Sequence, residues 1–348
     1  MRMHVLFISP VLLATLFMSC EKDNTIANFD WIPTNNKSLL LDSTMLEGNT
    51  RAFFYTIDDS NGYLSVYNQA IRSPRYSLYR ISDQGRKFEE INYPMGKLVK
   101  DMSVINEHSA YLLLADTIEP TGSYTMLYYS ENRGISWTQK NNIIINNIEY
   151  FLSQIHFSSI DTGIAISETS KTLFYTTDGG ENWKINENKL FSNYITIRNF
   201  TSLHNEPNSC FLTLRDSLFY STNGGLQWQF HSNLGDCCYY SISFINKNVG
   251  FIADEYNIYK INNIGNVITK VYTTDRQINH IEAISESEIY FCVNNSMFIT
   301  RDGFHSVQRM NIQDPYPNEK GDRIIVNFTL FLGNGLLVDT KGTIYCRN

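Results

Sequence analysis

Carboxylates that recur in turns have the clearest potential for chemistry in this sequence. Asp216, Asp254 and Asp339 each follow one short apolar run and precede another, so a regular arrangement of those runs would place them on one rim. Two facing carboxylates suffice for glycoside hydrolysis, one as the acid and the other as base or nucleophile. A single sequence does not show whether two of them meet, so acid–base catalysis stays open at this point.

Longer loops between apolar runs supply further candidate binding residues, which are Arg72, Arg75, Asp314, Tyr316 and Arg323. Arginine suits anionic ligands because its guanidinium group can donate two parallel hydrogen bonds to a carboxylate. The HExxH, GxSxG and P-loop motifs are absent, and the seven histidines lack metal-ligand spacing. We therefore predict neither a metal site nor a cofactor.

A sequence repeat indicates the strands and turns that would position these residues. Segments 130–137, 176–183 and 221–228 share the pattern Ser/Thr-x-Asp/Asn-x-Gly-x-x-Trp, and segments 81–88, 261–268 and 300–307 are weaker copies. Successive copies begin 39 to 49 residues apart, which is the period of a propeller blade. The residues that define the pattern are Asp83, Gly85, Phe88, Asn132, Gly134, Trp137, Asp178, Gly180, Trp183, Asn223, Gly225, Trp228, Asn263, Gly265 and Asp302.

Each copy of the pattern predicts a tight hairpin. Asp or Asn accepts hydrogen bonds from nearby backbone N–H groups, and Gly adopts positive φ without steric cost. The aromatic residue that follows would start the next strand and pack between neighbouring units. Short runs rich in Ile, Phe, Tyr, Val and Thr precede each copy and indicate strands rather than helices.

The two ends of the chain complete the pattern. Segments 335–339 and 343–348 match the second and third strands of a unit, and segment 29–33 matches the missing fourth strand, with Trp31 in the place of Trp183. The sequence therefore predicts an all-β fold over residues 29–348, a seven-bladed β-propeller of four-stranded blades. Pairing of the N-terminal and C-terminal strands would close the ring and remove an exposed sheet edge.

These octapeptides resemble the BNR or Asp-box repeat of sialidases, the sortilin ectodomain, xyloglucan hydrolases and photosystem II assembly-factor-like propellers. The resemblance implies that the repeat residues are structural and lie away from the face that binds ligands. A sialidase would also need an early Arg-Ile-Pro motif, whereas the nearest segment here, 71–74, has Ile, Arg, Ser and Pro in a different order. The resemblance thus favours a binding propeller over a sialidase.

The first twenty residues indicate where in the cell the protein is located. An apolar run spans 5–18, too short for a membrane span, and Cys20 follows Ser19 directly. This boundary resembles the lipobox of bacterial lipoproteins, and the charged residues after it resemble surface lipoproteins of Bacteroidetes. The resemblance implies a signal peptide (1–19), acylation of Cys20, a tether (20–28) and the propeller. The alternative is an ordinary secretory signal with an incidental cysteine.

The amino-acid composition limits the classes of partner that the protein can bind. The 348 residues include 28 Lys and Arg against 35 Asp and Glu, a net charge of −7, which argues against a nucleic-acid partner. We expect a monomeric outer-membrane lipoprotein that contacts the membrane through its lipid. Its function would be non-catalytic binding or assembly through a protein or glycan ligand. The alternative is an extracellular glycoside hydrolase of the sialidase-like or xyloglucanase-like kind.

Overall fold

The structure is a computed structural model. It describes residues 15–17, 31–33, 48–58, 60–70, 75–83, 85, 87–94, 97–115, 124–167, 170–187, 197–203, 205–214, 217–234, 241–262, 267–294, 296–312, 325–329, 335–339 and 344–347. Every regular element in these residues is a β-strand. The part of the chain so described holds no helix with the length and apolar character of a membrane span.

The strands are short and follow one another closely. In chain order they are β1 (Thr15–Phe17), β2 (Trp31–Pro33), β3 (Gly48–Thr56), β4 (Gly62–Ala70), β5 (Arg75–Ser82), β6 (Lys87–Glu90), β7 (Leu98–Val104), β8 (Ala110–Ala115), β9 (Thr125–Ser130), β10 (Thr138–Gln139), β11 (Ile144–Ile145), β12 (Ile148–Glu149), β13 (Gln154–Phe157), β14 (Gly163–Ser167), β15 (Thr172–Thr176) and β16 (Lys184–Ile185). The second half of the chain has β17 (Ile197–Leu203), β18 (Glu206–Leu214), β19 (Ser217–Ser221), β20 (Gln229–Asn233), β21 (Ser241–Asn246), β22 (Val249–Ala253), β23 (Asn257–Asn262), β24 (Val267–Thr273), β25 (Ile278–Ala283), β26 (Ile289–Val293), β27 (Ser296–Thr300), β28 (Gln308–Arg309), β29 (Ile325–Thr329), β30 (Leu336–Asp339) and β31 (Ile344–Arg347).

These strands form a β-propeller with six four-stranded blades. The blades are β7–β10, β13–β16, β17–β20, β21–β24, β25–β28 and β29–β31 with β2, numbered here as blades 1 to 6. The prediction of seven four-stranded blades is therefore wrong. Strands β3–β6 form a five-stranded sheet instead, because β1 pairs with the outer strand β6, with Leu16 opposite Phe88. An unpaired outer strand offers free backbone groups, and β1 pairs with them.

The chain ends share one sheet. In blade 6 the N-terminal strand β2 pairs antiparallel with the C-terminal strand β31, and Trp31 lies opposite Arg347 while Pro33 lies opposite Tyr345. The pairing of the terminal strands is thus confirmed. The five-stranded sheet lies between blades 6 and 1, because β3 contacts both β29 and β7.

The hydrophobic core is divided into layers between adjacent sheets. In β8 the side chains of Leu112 and Leu114 pack toward the five-stranded sheet, whereas those of Tyr111 and Leu113 pack toward blade 2. All six residues of β8 are buried. A strand covered on both faces needs a continuous apolar run rather than an alternating one, which explains the Ala-Tyr-Leu-Leu-Leu-Ala sequence.

A repeated hydrogen-bond pattern closes the turn between the third and fourth strands. In blade 2 the Thr176 hydroxyl donates to Asp178 Oδ1 (2.8 Å) and accepts the Gly180 N–H (3.0 Å), while Asp178 Oδ1 accepts the Asn182 N–H (2.9 Å). The same three bonds recur at the turns that begin at Ser130, Ser221 and Thr300. The weaker copy shares the positive φ of its glycine, Gly85, but Asp83 also has positive φ, unlike the Asp or Asn of the other turns. Asn263 and Gly265 lie outside the described residues.

Blade 5 uses Phe304 where the other turns have glycine. Gly134, Gly180 and Gly225 have φ between 78° and 86°, and Phe304 has φ 73°, a conformation that L side chains seldom adopt. The Phe304 ring packs near Phe291 and Tyr272. It thereby contributes the large ring that blade 5 lacks, since Val307 stands where blades 1 to 3 have tryptophan.

We expect the buried hydroxyl of Thr176 to stabilise its turn. Replacing it in Thr176→Val keeps the shape but leaves the buried Gly180 N–H without an acceptor, which costs about 1–3 kcal/mol. The neighbouring Thr177→Val is the matched control, because Thr177 is exposed. Urea unfolding should show a lower free energy of unfolding for Thr176→Val alone. Equal stability of the two variants would contradict the role assigned to the hydroxyl.

Candidate functional site

The innermost strands of neighbouring blades are joined by polar side chains. Between blades 1 and 2, Asp101 Oδ2 accepts the Ile155 N–H (2.8 Å) and Ser103 Oγ accepts the Phe157 N–H (2.7 Å). Between blades 4 and 5, Ser241 Oγ accepts the Ile281 N–H (3.1 Å) and Ser243 Oγ accepts the Ala283 N–H (3.0 Å). Side chains two residues apart share one face of a strand, so each pair reaches the next blade together.

A bulge precedes a polar residue in four of these inner strands. The register shifts end at Asp101, Asn199, His280 and Asn327 in β7, β17, β25 and β29. Bulges add local twist and redirect the side chain beside them. The inner strands therefore carry polar residues at one level around the propeller axis, and Asp101 is the acidic one of these four.

A channel cavity of about 440 Å³ opens among the inner strands β3, β7, β13 and β17. Its polar lining comes from Tyr55, Thr56, Asp101, Ser103, Gln154, His156, Thr201 and Ser202. Phe54 and Phe200 add aromatic surface. The cavity reaches Ile105 and Pro207, next to the turns between first and second strands. Those turns contact the Asp/Asn–Gly turns, as in the Gly179 N–H bond to the Asp161 carbonyl.

Asp101 is the one carboxylate among the described residues that line this cavity. Its Oδ1 accepts the Met102 N–H (2.8 Å), and its Oδ2 accepts the Ile155 N–H. Burial raises the pKa of Asp101 to about 7, although these two hydrogen bonds act in the opposite direction. Asp101 keeps intermediate exposure because it borders the cavity. A carboxyl group with this pKa is partly ionised at neutral pH.

Two neighbouring titratable groups remain neutral. Burial lowers the pKa of His156 to about 4, and its Nε2 lies 3.0 Å from the Pro207 carbonyl. A carbonyl only accepts, so Nε2 carries the proton and donates it. Burial and the charge of Asp101 raise the pKa of Tyr55 well above its usual value. The cavity thus offers neutral donors and acceptors around one carboxyl group.

A second cavity of about 320 Å³, here called the cleft, lies between the five-stranded sheet and blade 1. It shares Tyr55, Asp101 and Gln154 with the channel cavity. Tyr67 and Tyr76 stack in its lining, with ring centroids 5.1 Å apart. Phe53 lies at the cleft with 44% of its surface exposed. Aromatic surface therefore continues from the cavity toward solvent.

The structure describes little of the rim that was predicted from the sequence. Arg72, Asp216, Asp314, Tyr316 and Arg323 lie outside the described residues, as does Cys20. Arg75 begins β5 and Asp339 ends β30, and only the backbone of these two is described. Their role in binding stays a prediction.

Asp254 is buried in the turn between β22 and β23. Its oxygens accept hydrogen bonds from the backbone of Tyr256 and Asn257 and from the Tyr259 hydroxyl. Burial alone would raise the pKa of Asp254, but these bonds outweigh it and the pKa is lowered. This carboxylate is engaged in stabilising its own turn. Within the described residues, no group of three or more His, Cys, Asp or Glu side chains has the geometry to hold a metal ion.

The fold defines the protein class as a β-propeller, and comparison with solved structures agrees. YCF48 bound to a D1 peptide is 13% identical, with a TM-score of 0.61 over 87% of this chain and 93% of that one. YCF48 from Cyanidioschyzon merolae is 14% identical, with a TM-score of 0.61 over 92% and 98%. No family model and no curated protein matches.

An ancestral GH74 enzyme is 13% identical, with a TM-score of 0.56 over 89% of this chain. The alignment spans 46% of that enzyme, so this chain corresponds to less than half of its length. At these identities the likeness concerns the fold alone.

The raised pKa of Asp101 gives stability a definite pH dependence. The folded chain resists ionisation up to about pH 7, whereas the unfolded chain ionises near pH 4. The stability that the neutral carboxyl group contributes is therefore complete below pH 4 and is lost as the pH rises through 7. Asp101→Ser keeps one acceptor for Ile155 and removes the titration.

Urea unfolding of the wild type and of Asp101→Ser at several pH values checks this pH dependence of stability. The free energy of unfolding of Asp101→Ser minus that of the wild type should increase by on the order of 1–4 kcal/mol from pH 4.5 to pH 8. The other titrating groups cancel in this difference. A difference that does not change with pH would contradict the assignment.

Proposed function

We propose that this chain is a non-catalytic binding or assembly propeller that holds a segment of a partner protein at the channel cavity. The observation that carries the proposal is the composition of the described cavity lining, which combines aromatic surface, neutral hydrogen-bonding groups and one carboxyl group. Sites on a rigid propeller scaffold recognise partners through such a lining. The similarity in fold to YCF48 bound to a D1 peptide supports a protein ligand.

A glycoside hydrolase is the second candidate, favoured by the similarity in fold to the GH74 enzyme and by the raised pKa of Asp101. Hydrolysis of a glycosidic bond needs two carboxyl groups within roughly 5–10 Å. Among the described residues that line the channel cavity and the cleft, Asp101 is the one carboxyl group. This lining favours binding over hydrolysis.

Site-specific photocrosslinking in the native host tests the binding proposal. A benzoylphenylalanine in place of Phe53 at the cleft should crosslink a partner protein. The same residue in place of Phe230 should not, because Phe230 is 51% exposed on the outer strand β20, away from both cavities. Both positions begin as exposed phenylalanines, so the chemistry and accessibility are matched.

Equal crosslinking from both positions, or none from either, would contradict the proposal. Turnover on a glycan panel that is lost in Asp101→Asn would replace it with the hydrolase function. Turnover that is lost in Asp216→Asn or Asp254→Asn would do the same.

We also propose that a lipid on Cys20 anchors the chain to the outer membrane of a bacterial envelope, where it acts as a monomer. The apolar run that ends at Ser19-Cys20 supports this, since several acyl chains on one residue anchor a protein stably. Cys20→Ala should move the protein from the membrane fraction to the soluble fraction on cell fractionation. Asn24→Ala, in the tether, should leave it with the membrane. Membrane association of Cys20→Ala would contradict lipidation.

A further inference from the structure

The charge of Asp101 is not required for the contact that Asp101 makes with the next blade. Ser241 occupies the corresponding position in blade 4 and accepts the Ile281 N–H through a neutral hydroxyl, as Asp101 accepts the Ile155 N–H. The following pair, Ser103 and Ser243, has the same residue type in both blades. A serine is thus sufficient to accept the N–H group of the next blade. The carboxyl group of Asp101 places an acidic group in the channel, and the contact between blades does not need that acidity.

Asp101 has acceptor capacity left over. A carboxylate has about four lone-pair positions, and the Met102 and Ile155 N–H groups occupy two of them. Within the described part of the chain, no Lys, Arg or His forms an ion pair with Asp101, and the adjacent Lys100 is exposed. A carboxylate that is largely removed from water and has no cation beside it is costly, so an incoming cation would stabilise it.

The surroundings of Asp101 fit a long side chain with a charged end. Phe54, Tyr55 and Phe200 supply flat apolar surface for a methylene stem, and an aromatic face also attracts a cation. The channel cavity of about 440 Å³ is large enough for a lysine or arginine side chain. A net charge of −7 would draw a basic segment toward the molecule.

We propose that the channel cavity captures a lysine or arginine side chain of the partner protein, with the Asp101 carboxylate as its counter-ion. This inference rests on the proposed function, and it names the chemical class of the segment that binds. Gln154 and Ser103, which border the same cavity, would complete the hydrogen bonds of the cationic head.

Side-chain analogues test the inference on the full chain without knowledge of the partner. The probes are n-butylammonium and n-butylguanidinium, with n-butanol as the neutral control, and calorimetric titration measures their affinity. We expect both cations to bind and butanol to bind at least tenfold more weakly. Asp101→Ser should lower the affinity for the cations at least tenfold. Asp161→Asn, which removes an exposed carboxylate on a turn, should leave it unchanged.

The affinity should also follow the ionisation of Asp101. The other titratable groups described in the lining of the two cavities that Asp101 borders are Tyr55 from β3, Tyr67 from β4, Tyr76 from β5, His156 from β13 and Lys100 on its own strand. Tyr55 and His156 stay neutral between pH 6 and pH 8, because the pKa of Tyr55 lies well above this range and that of His156 is about 4. Cation affinity should therefore be about tenfold weaker at pH 6 than at pH 8, on either side of the Asp101 pKa of about 7.

Three outcomes would overturn the inference: no cation binding, equal binding of butanol, or unchanged cation affinity in Asp101→Ser. Crosslinking from Phe53 together with any of these would leave the proposed function standing and remove only the cationic ligand. Cation binding without crosslinking from Phe53 would support the cation site and contradict the proposed function, since no partner protein would be held there.

Discussion

A buried hydroxyl group that both donates and accepts at the end of the third strand is the interaction on which this propeller depends. Thr176 is the clearest case, because its Oγ1 bonds Asp178 and Gly180 at once. A hydroxyl is the smallest group that can do both. With the turn closed in this way, Trp183 lies directly before the outer strand β16, and its ring contacts Phe157 of the innermost strand edge to face. The turn thereby ties the outer edge of a blade to its interior.

The axis of the propeller uses polar side chains in a different way. Backbone N–H groups of the inner strands β13 and β25 donate to the preceding blade, which supplies Asp101 and Ser103 or Ser241 and Ser243 as acceptors. Buried N–H groups must be paired somewhere, so these positions have to carry an oxygen acceptor. These positions need an oxygen acceptor, but that oxygen can belong to a neutral hydroxyl or to a charged carboxylate. A functional side chain such as that of Asp101 can therefore occupy an inner strand without loss of the contact between blades.

The parts of the fold and of the site that could be predicted from the sequence are those set by local residue patterns. Turn residues and terminal strands are local patterns, so the turns at Thr176 and Ser221 and the pairing of the N-terminal with the C-terminal strand could be predicted from the sequence. The number of four-stranded blades could not, because an apolar run such as 15–17 has the same composition whether it is a signal segment or an edge strand. Asp101 was missed for a related reason. Segment 98–104 is typical of an ordinary inner strand, and only its place beside β3 and β13 distinguishes it.

The contrast between Asp254 and Asp101 explains why acidic residues in turns were a poor guide to the site. Both are aspartates with little exposed surface, but Asp254 accepts hydrogen bonds at both oxygens from its own turn, and its pKa is lowered. Asp101 accepts two backbone bonds, borders a cavity and has its pKa raised to about 7. A carboxylate whose bonds are all internal has nothing to offer a ligand, whereas one that is desolvated and incompletely bonded gains free energy from an incoming cation. Within the described lining of the two cavities, Asp101 is the one carboxyl group, whereas glycoside hydrolysis uses two.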